Sequence, residues 1–214
     1  MERAYISPAT DWLSRATLTG NMNTLHGCGT RRVESCATWN NFMTFSIRTT
    51  IRALLVPDHR ISCPPRFWRQ VLENLERRGE HRHESGVFLL GQENRERIEI
   101  KDAIYYDELD PAAYSTGVCV LDGNAFAKLW AICRERGLTV AADAHTHPGY
   151  AAQSSQDRTN PMVARPGHVA IIVPHYAQAP VAHSAVRIYE YRGDHIWDDR
   201  SKKFSRFFYT GFWS

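Results

Sequence analysis

Leu138-Thr-Val-Ala-Ala-Asp-Ala-His-Thr-His-Pro-Gly149 is the stretch on which the reading of this chain turns. Small and β-branched residues fill its first half and Pro148-Gly149 closes it, so the pattern predicts a strand that runs into a turn. Side chains alternate between the faces of a strand, so His145 and His147 leave one face with Asp143, while Thr146 points away. The two imidazoles start about 7 Å apart along the strand and can converge on one ion. Ten residues beyond His147, on the polar loop that Pro148-Gly149 opens, stands a carboxylate, Asp157.

Working outward, Val169 to Val173 reads as a buried strand, and Val186 to Tyr191 alternates before the turn Arg192-Gly193-Asp194 into Ile196-Trp197. Upstream, Asn124 to Arg136 carries Phe126, Leu129, Trp130 and Cys133 on one helical face and meets Gly137 at its end. A second amphipathic helix is predicted after Pro64-Pro65, with Phe67, Trp68, Val71, Leu72 and Leu75 in step before Arg77-Arg78-Gly79. Gly86 to Gly91 and Ile98 to Tyr106 form a predicted strand pair, and Thr116 to Leu121 is expected to be a further strand. Helices interspersed with strands in this order predict an α/β fold, a mixed and mostly antiparallel sheet flanked by helices, in a single domain over residues 43–214. Residues 1–42, rich in Ser, Thr and Asn and without apolar period, read as a disordered or loosely packed N-terminal extension.

Composition narrows the partners. The 214 residues carry a net charge of +3 from 26 basic and 23 acidic side chains. These are interspersed along the chain, and without a clustered basic face a nucleic-acid partner is not expected. Apolar runs such as Val169 to Val173 fall far short of the roughly 20 residues of a membrane span. Five cysteines with no CxxC pair argue for a reducing, cytoplasmic setting and against a cysteine-built zinc site.

Histidine and carboxylate therefore carry the chemistry. Two nitrogens and one oxygen from His145, His147 and Asp157 leave a fourth tetrahedral position of Zn²⁺ open, as catalytic rather than structural sites do. Zinc so held lowers the pKa of water to about 7 and polarises a carbonyl. Glu84, just before the apolar run, is placed to take the proton of the attacking water and pass it to a leaving amine. Ser154 offers a hydroxyl to the developing oxyanion.

Glu84 in Glu-Ser-Gly-Val-Phe-Leu-Leu-Gly91, His145-Thr-His-Pro-Gly149 and Ser154-Ser-Gln-Asp157 together resemble the motif of the JAMM (JAB/MPN-type) zinc metallopeptidases, prokaryotic branch, over about residues 63–200. The resemblance implies a JAB/MPN-like, cytidine-deaminase-like architecture, one zinc per chain on His145, His147 and Asp157, Glu84 as general base and acid, and Ser154 as oxyanion donor. The loop from the second His is one residue shorter than the family's usual spacing. Counting the usual length selects Ser155 instead, but the same register then places Arg158 where the metal-binding Asp belongs. The segment from Arg158 to Gly167 is short beside that of eukaryotic ubiquitin-cleaving members.

The activity implied is zinc-dependent (iso)peptidase cleavage of an amide after the C-terminal glycine of a ubiquitin-like or sulfur-carrier protein. Such an enzyme would work beside activating and conjugating enzymes, as in bacterial antiphage defence. Two rival expectations are a non-catalytic MPN-type scaffold and a metallo-hydrolase of another peptide, such as a cell-wall stem. His81 and His83, set among charges, read as solvated, and His168, His175, His183 and His195 as core or surface residues. Asp143 reads as a partner that orients an imidazole N–H, or as a solvated carboxylate, rather than as a ligand. The aromatic end, Phe204 to Trp213, is expected to pack on the core.

Overall fold

The structure is a computed structural model and describes Val56 and residues 58–94, 97–117 and 119–211. The expected extension over residues 1–42 lies outside them, as do Phe212 and Trp213. The chain forms β1 (Ile61–Ser62), α1 (Pro65–Gly79), β2 (Gly86–Asn94), β3 (Arg97–Tyr105), the single turn α2 (Tyr106–Leu109) and α3 (Gly123–Arg136). There follow β4 (Thr139–Thr146), α4 (Ser155–Thr159), β5 (Val169–Val173), β6 (Arg187–Gly193), β7 (Ile196–Asp199), α5 (Phe204–Phe207) and β8 (Phe208–Tyr209), with short 3₁₀ turns between.

The strands make one eight-stranded sheet in the order β7-β6-β5-β4-β2-β3-β1-β8. β2 pairs antiparallel with both β3 and β4, and β5 with β6 and β6 with β7 likewise; β4–β5, β1–β3 and β1–β8 are parallel. The mixed α/β character expected from the order of elements is present. The described residues of the stretch 116–121 form no strand: 116 belongs to a turn, 117 to a bend, and 119–121 carry no regular structure. Its apolar residues pack instead through Cys119 and Leu121 onto the α3 side of the sheet. An apolar run has the same burial requirement in a loop laid over a core as in a strand, so composition alone did not separate the two.

Helices cover both faces of the sheet centre. Val87 and Leu89 of β2 join Trp68, Val71 and Leu75 of α1 in one cluster. Phe88 and Leu90 join Leu109, Ala125, Leu129 and Cys133 in the other. A strand buried on both faces cannot alternate apolar with polar, which is why Gly86–Gly91 reads as an unbroken apolar run. α1 opens at Pro65, whose missing N–H is no loss in a first turn, and ends with Arg77 and Arg78 at its negative pole. α3 is capped by Asp122, whose carboxylate accepts the Ala125 N–H at 2.9 Å, and stops at Gly137 in the left-handed region, φ +63°. At the other end of the sheet Phe208 is fully buried, with its ring edge-on to Trp68, so the described part of the aromatic terminus does pack on the core.

Candidate metal centre

The register of β2 against β4 builds the site. Gly86 pairs with His145. One step on, the Thr146 N–H donates to the Ser85 carbonyl at 2.9 Å, and the Ser85 N–H donates to Thr146 Oγ1, also at 2.9 Å. The next pair brings Glu84 across from His147, and Glu84 Oε1 lies 4.0 Å from His147 Nε2. His147 is past the end of β4 but pinned by its backbone: its N–H donates to the Val173 carbonyl, and its carbonyl accepts from Tyr176, both at 2.9 Å.

Asp157 reaches the same point from α4. Ser154 caps that helix, its Oγ accepting the Asp157 N–H at 3.2 Å. In return the Asp157 carboxylate accepts the Ser154 N–H at 2.7 Å and the Ser154 hydroxyl at 2.8 Å. This reciprocal capping box fixes Asp157 in the first turn, facing the histidines. His145 Nε2 and His147 Nε2 are 3.1 Å apart, and Asp157 lies 3.4 Å from the first and 3.3 Å from the second.

Those three spacings are the fit test for a metal. Ligand atoms about 2.0–2.1 Å from a tetrahedral zinc stand about 3.3–3.4 Å from one another. Asp157 presents Oδ1 to His145 and Oδ2 to His147, and the three spacings of 3.1, 3.4 and 3.3 Å lie near that length; two imidazole nitrogens with a carboxylate are a donor set that zinc accepts. Among the described residues this is the group of three or more His, Cys, Asp or Glu side chains that converges in this way. The imidazoles are buried, while the Asp157 and Glu84 side chains keep 20% and 18% of their exposure, so the cluster is open on the carboxylate side.

The electrostatics follow from that crowding. Burial opposes charge on His145, but hydrogen bonds to Asp143 and Asp157 outweigh it and push the imidazole up to about 10. Burial would raise Asp157, yet the two histidines and the Ser154 N–H hold it well below the usual carboxylate range. Glu84 moves the other way. Burial raises it above an ordinary glutamate, against the pull of His147, His145 and an N–H bond from Cys119. A carboxylate raised toward neutrality beside a cation site is suited to taking and returning a proton.

All five expected positions, Glu84, His145, His147, Ser154 and Asp157, thus stand together. Ser155 is the first residue of α4 and is exposed; Ser154 is the serine that touches Asp157. His81 is exposed, whereas His83, expected to be solvated, is half-buried and stacks on Tyr114; neither belongs to the converging set. Three contributors were not legible. Cys119 holds Glu84 through its backbone, which no side-chain pattern encodes. Tyr106 packs over Gly86, leaving no room for a Cβ there, and its hydroxyl donates to Asp143 at 3.4 Å. His168 is buried and contacts Asp143; its one signal was a polar residue at the mouth of an apolar strand.

No protein-family model matches the chain. A protein of Sinorhizobium fredii (strain NBRC 101917 / NGR234) named "Probable metalloprotease y4jG" is 25% identical over 150 residues, covering 70% of this chain and 88% of that protein. Among solved structures, protein DSY2949 from Desulfitobacterium hafniense aligns with a TM-score of 0.46 at 15% identity, over 65% of this chain and 88% of that one. A protein from Salinibacter ruber (strain DSM 13855) aligns with a TM-score of 0.42 at 20% identity, over 64% and 87%. Likenesses of that size assign neither a fold family nor a function. The chain is thus distantly similar to a protein named as a probable metalloprotease, and its own His145, His147 and Asp157 form a cluster with the spacing of a metal centre.

Proposed function

We propose that the protein is a zinc-dependent peptidase of the JAMM type, acting on the amide that follows the C-terminal glycine of a ubiquitin-like or sulfur-carrier protein. The observation that carries the hydrolase reading is the meeting of His145, His147 and Asp157 at tetrahedral spacing with Glu84 beside them, 4.0 Å from His147. The distant likeness to a probable metalloprotease supports it. The order of the Glu, His-x-His-Pro and Ser-x-x-Asp elements supports the finer assignment.

His145, His147 and Asp157 would hold the metal, which supplies Lewis acidity to the carbonyl and acidity to water. Glu84 takes the proton of the attacking water on Oε1 and delivers it to the departing amine nitrogen; its raised affinity for protons suits both transfers. Ser154 makes three hydrogen bonds with Asp157. Its backbone N–H holds the carboxylate at 2.7 Å and its Oγ accepts the Asp157 N–H at 3.2 Å, so the hydroxyl proton alone would turn from the carboxylate toward the oxyanion that grows on the substrate carbonyl.

The test is cleavage by the full chain, zinc-loaded and chelated, of three substrates: a ubiquitin-like protein joined through its terminal glycine to a lysine, the same protein in a linear fusion, and a cell-wall stem peptide. Mass spectrometry should find zinc-dependent cleavage after the terminal glycine. Cleavage of the stem peptide alone would replace the substrate class, and no cleavage of any amide by zinc-loaded protein would remove the peptidase reading.

A further inference from the structure

We propose that Asp143 and His168 act as one buried clamp that fixes the ring orientation and the Nδ1–H tautomer of His145, so that its Nε2 lone pair faces the metal; the proposal rests on the reading of His145 as a ligand. A neutral imidazole carries its proton on either nitrogen, and a half-turn of the ring about Cβ–Cγ puts carbons where both nitrogens stood. Here Nε2 points to His147 and Asp157, whereas Nδ1 points to Asp143 Oδ2 at 3.4 Å. An ionised carboxylate only accepts hydrogen bonds, so it requires an N–H at Nδ1 and leaves the Nε2 lone pair for the cation. Flipping the ring would set Cδ2–H against Asp143 and turn Nε2 away from the partners it has now, and moving the proton to Nε2 would set a bare Nδ1 lone pair against the carboxylate.

Asp143 can impose this only if it cannot move. Its other oxygen, Oδ1, meets His168 Nε2 at 2.6 Å, and both side chains are 2% exposed. His168 is itself held from two sides, its N–H donating to Arg165 and its carbonyl accepting from Tyr191, each at 2.9 Å. The Tyr106 hydroxyl donates to Oδ2 from the opposite layer. Asp143 comes from β4 and His168 from the residue before β5, neighbouring parallel strands, so the clamp spans the strand pair on which both histidine ligands depend. Asp143 and His168 are positioning residues: neither touches the site where substrate would stand.

The experiment measures zinc affinity of the full chain by competition with a chromophoric chelator, and the protonated ring nitrogens by long-range ¹H–¹⁵N correlation. Asp143→Asn and His168→Ala should each weaken zinc binding by about 10–100-fold, the range for outer partners of metal-binding histidines. The double variant should be no weaker than the worse single, because the two act as a unit. His168→Gln, which keeps an N–H donor, should recover part of the loss. Folded variants that bind zinc within twofold of the parent, or losses that add, would overturn the clamp. If the variants do not fold, the parent spectrum decides. In zinc-loaded protein, protons should sit on Nδ1 of His145 and Nε2 of His168, and zinc bound by a His145 whose Nδ1 is bare refutes the clamp alone. A parent that binds no zinc sinks the metal reading, and the clamp with it.

Discussion

At the residue scale, the proposed peptidase reading makes Glu84 the residue that separates binding from chemistry. It lies beside the ligand cluster but outside the converging set, so Glu84→Gln should keep the metal while removing the proton acceptor. The expected result is one zinc per chain by metal analysis with hydrolysis reduced by about 10²–10⁴-fold, the usual worth of a general base. His145→Ala or Asp157→Ala should lose both. Protons compete for the same atoms. In metal-free protein His145 carries a proton up to about pH 10, so zinc must displace it. Zinc affinity should therefore strengthen by about tenfold per pH unit between pH 7 and 10, measured by chelator competition.

The same shifts set the pH window of the metal-free fold. The folded-state pKa of His145 is raised, so its contribution is complete below its unfolded value of about 6.5 and is lost as pH climbs through about 10. Asp157 is depressed, so its contribution is present above about pH 4 and lost in acid. Thermal melts in chelator should show a plateau between about pH 4 and 6.5 that falls in acid and declines from about pH 6.5 toward 10.

At the scale of elements, β2 and β4 were readable as apolar runs, and α1 and α3 as amphipathic segments with the right ends. The reason is that each carries its own periodicity and stop signals. Thr116–Leu121 misled because an apolar loop that covers α3's face obeys the same burial rule as a strand. Gly86 shows an element constrained from outside: the Tyr106 ring occupies the space of any side chain there. Gly86→Ala should destabilise the fold by about 1–3 kcal/mol in denaturant unfolding through overpacking, and should loosen the start of β2 next to Glu84. Asp122→Ala, which removes only a cap from α3, should cost about 1 kcal/mol without changing zinc affinity.

For the molecule as a whole, the site draws on three segments distant in the chain: Glu84 two residues before β2, the end of β4, and α4. The unfolded chain does not hold these together, so metal binding is coupled to global folding. Zinc at 100 times its dissociation constant should stabilise the protein by about 2.7 kcal/mol, read as a raised melting temperature that chelator reverses. A melting temperature indifferent to zinc in protein that retains it would place the metal outside this cluster. No helix among the described residues is long and apolar enough to cross a membrane.

The amino-acid sequence by itself singled out the candidate set that the structure brings together, because residue type and strand spacing put His145 and His147 on one side, and order along the chain supplied Asp157, Ser154 and Glu84. It determined the α/β alternation for the same local reason. Tertiary structure alone decided that Glu84 faces His147, since that depends on the register of β2 against β4. It also decided that His168, a residue with no sequence partner, meets Asp143 across neighbouring strands. Periodicity is a property of neighbours in sequence, whereas register and cross-strand contact are set by how separate segments bury their surfaces against each other.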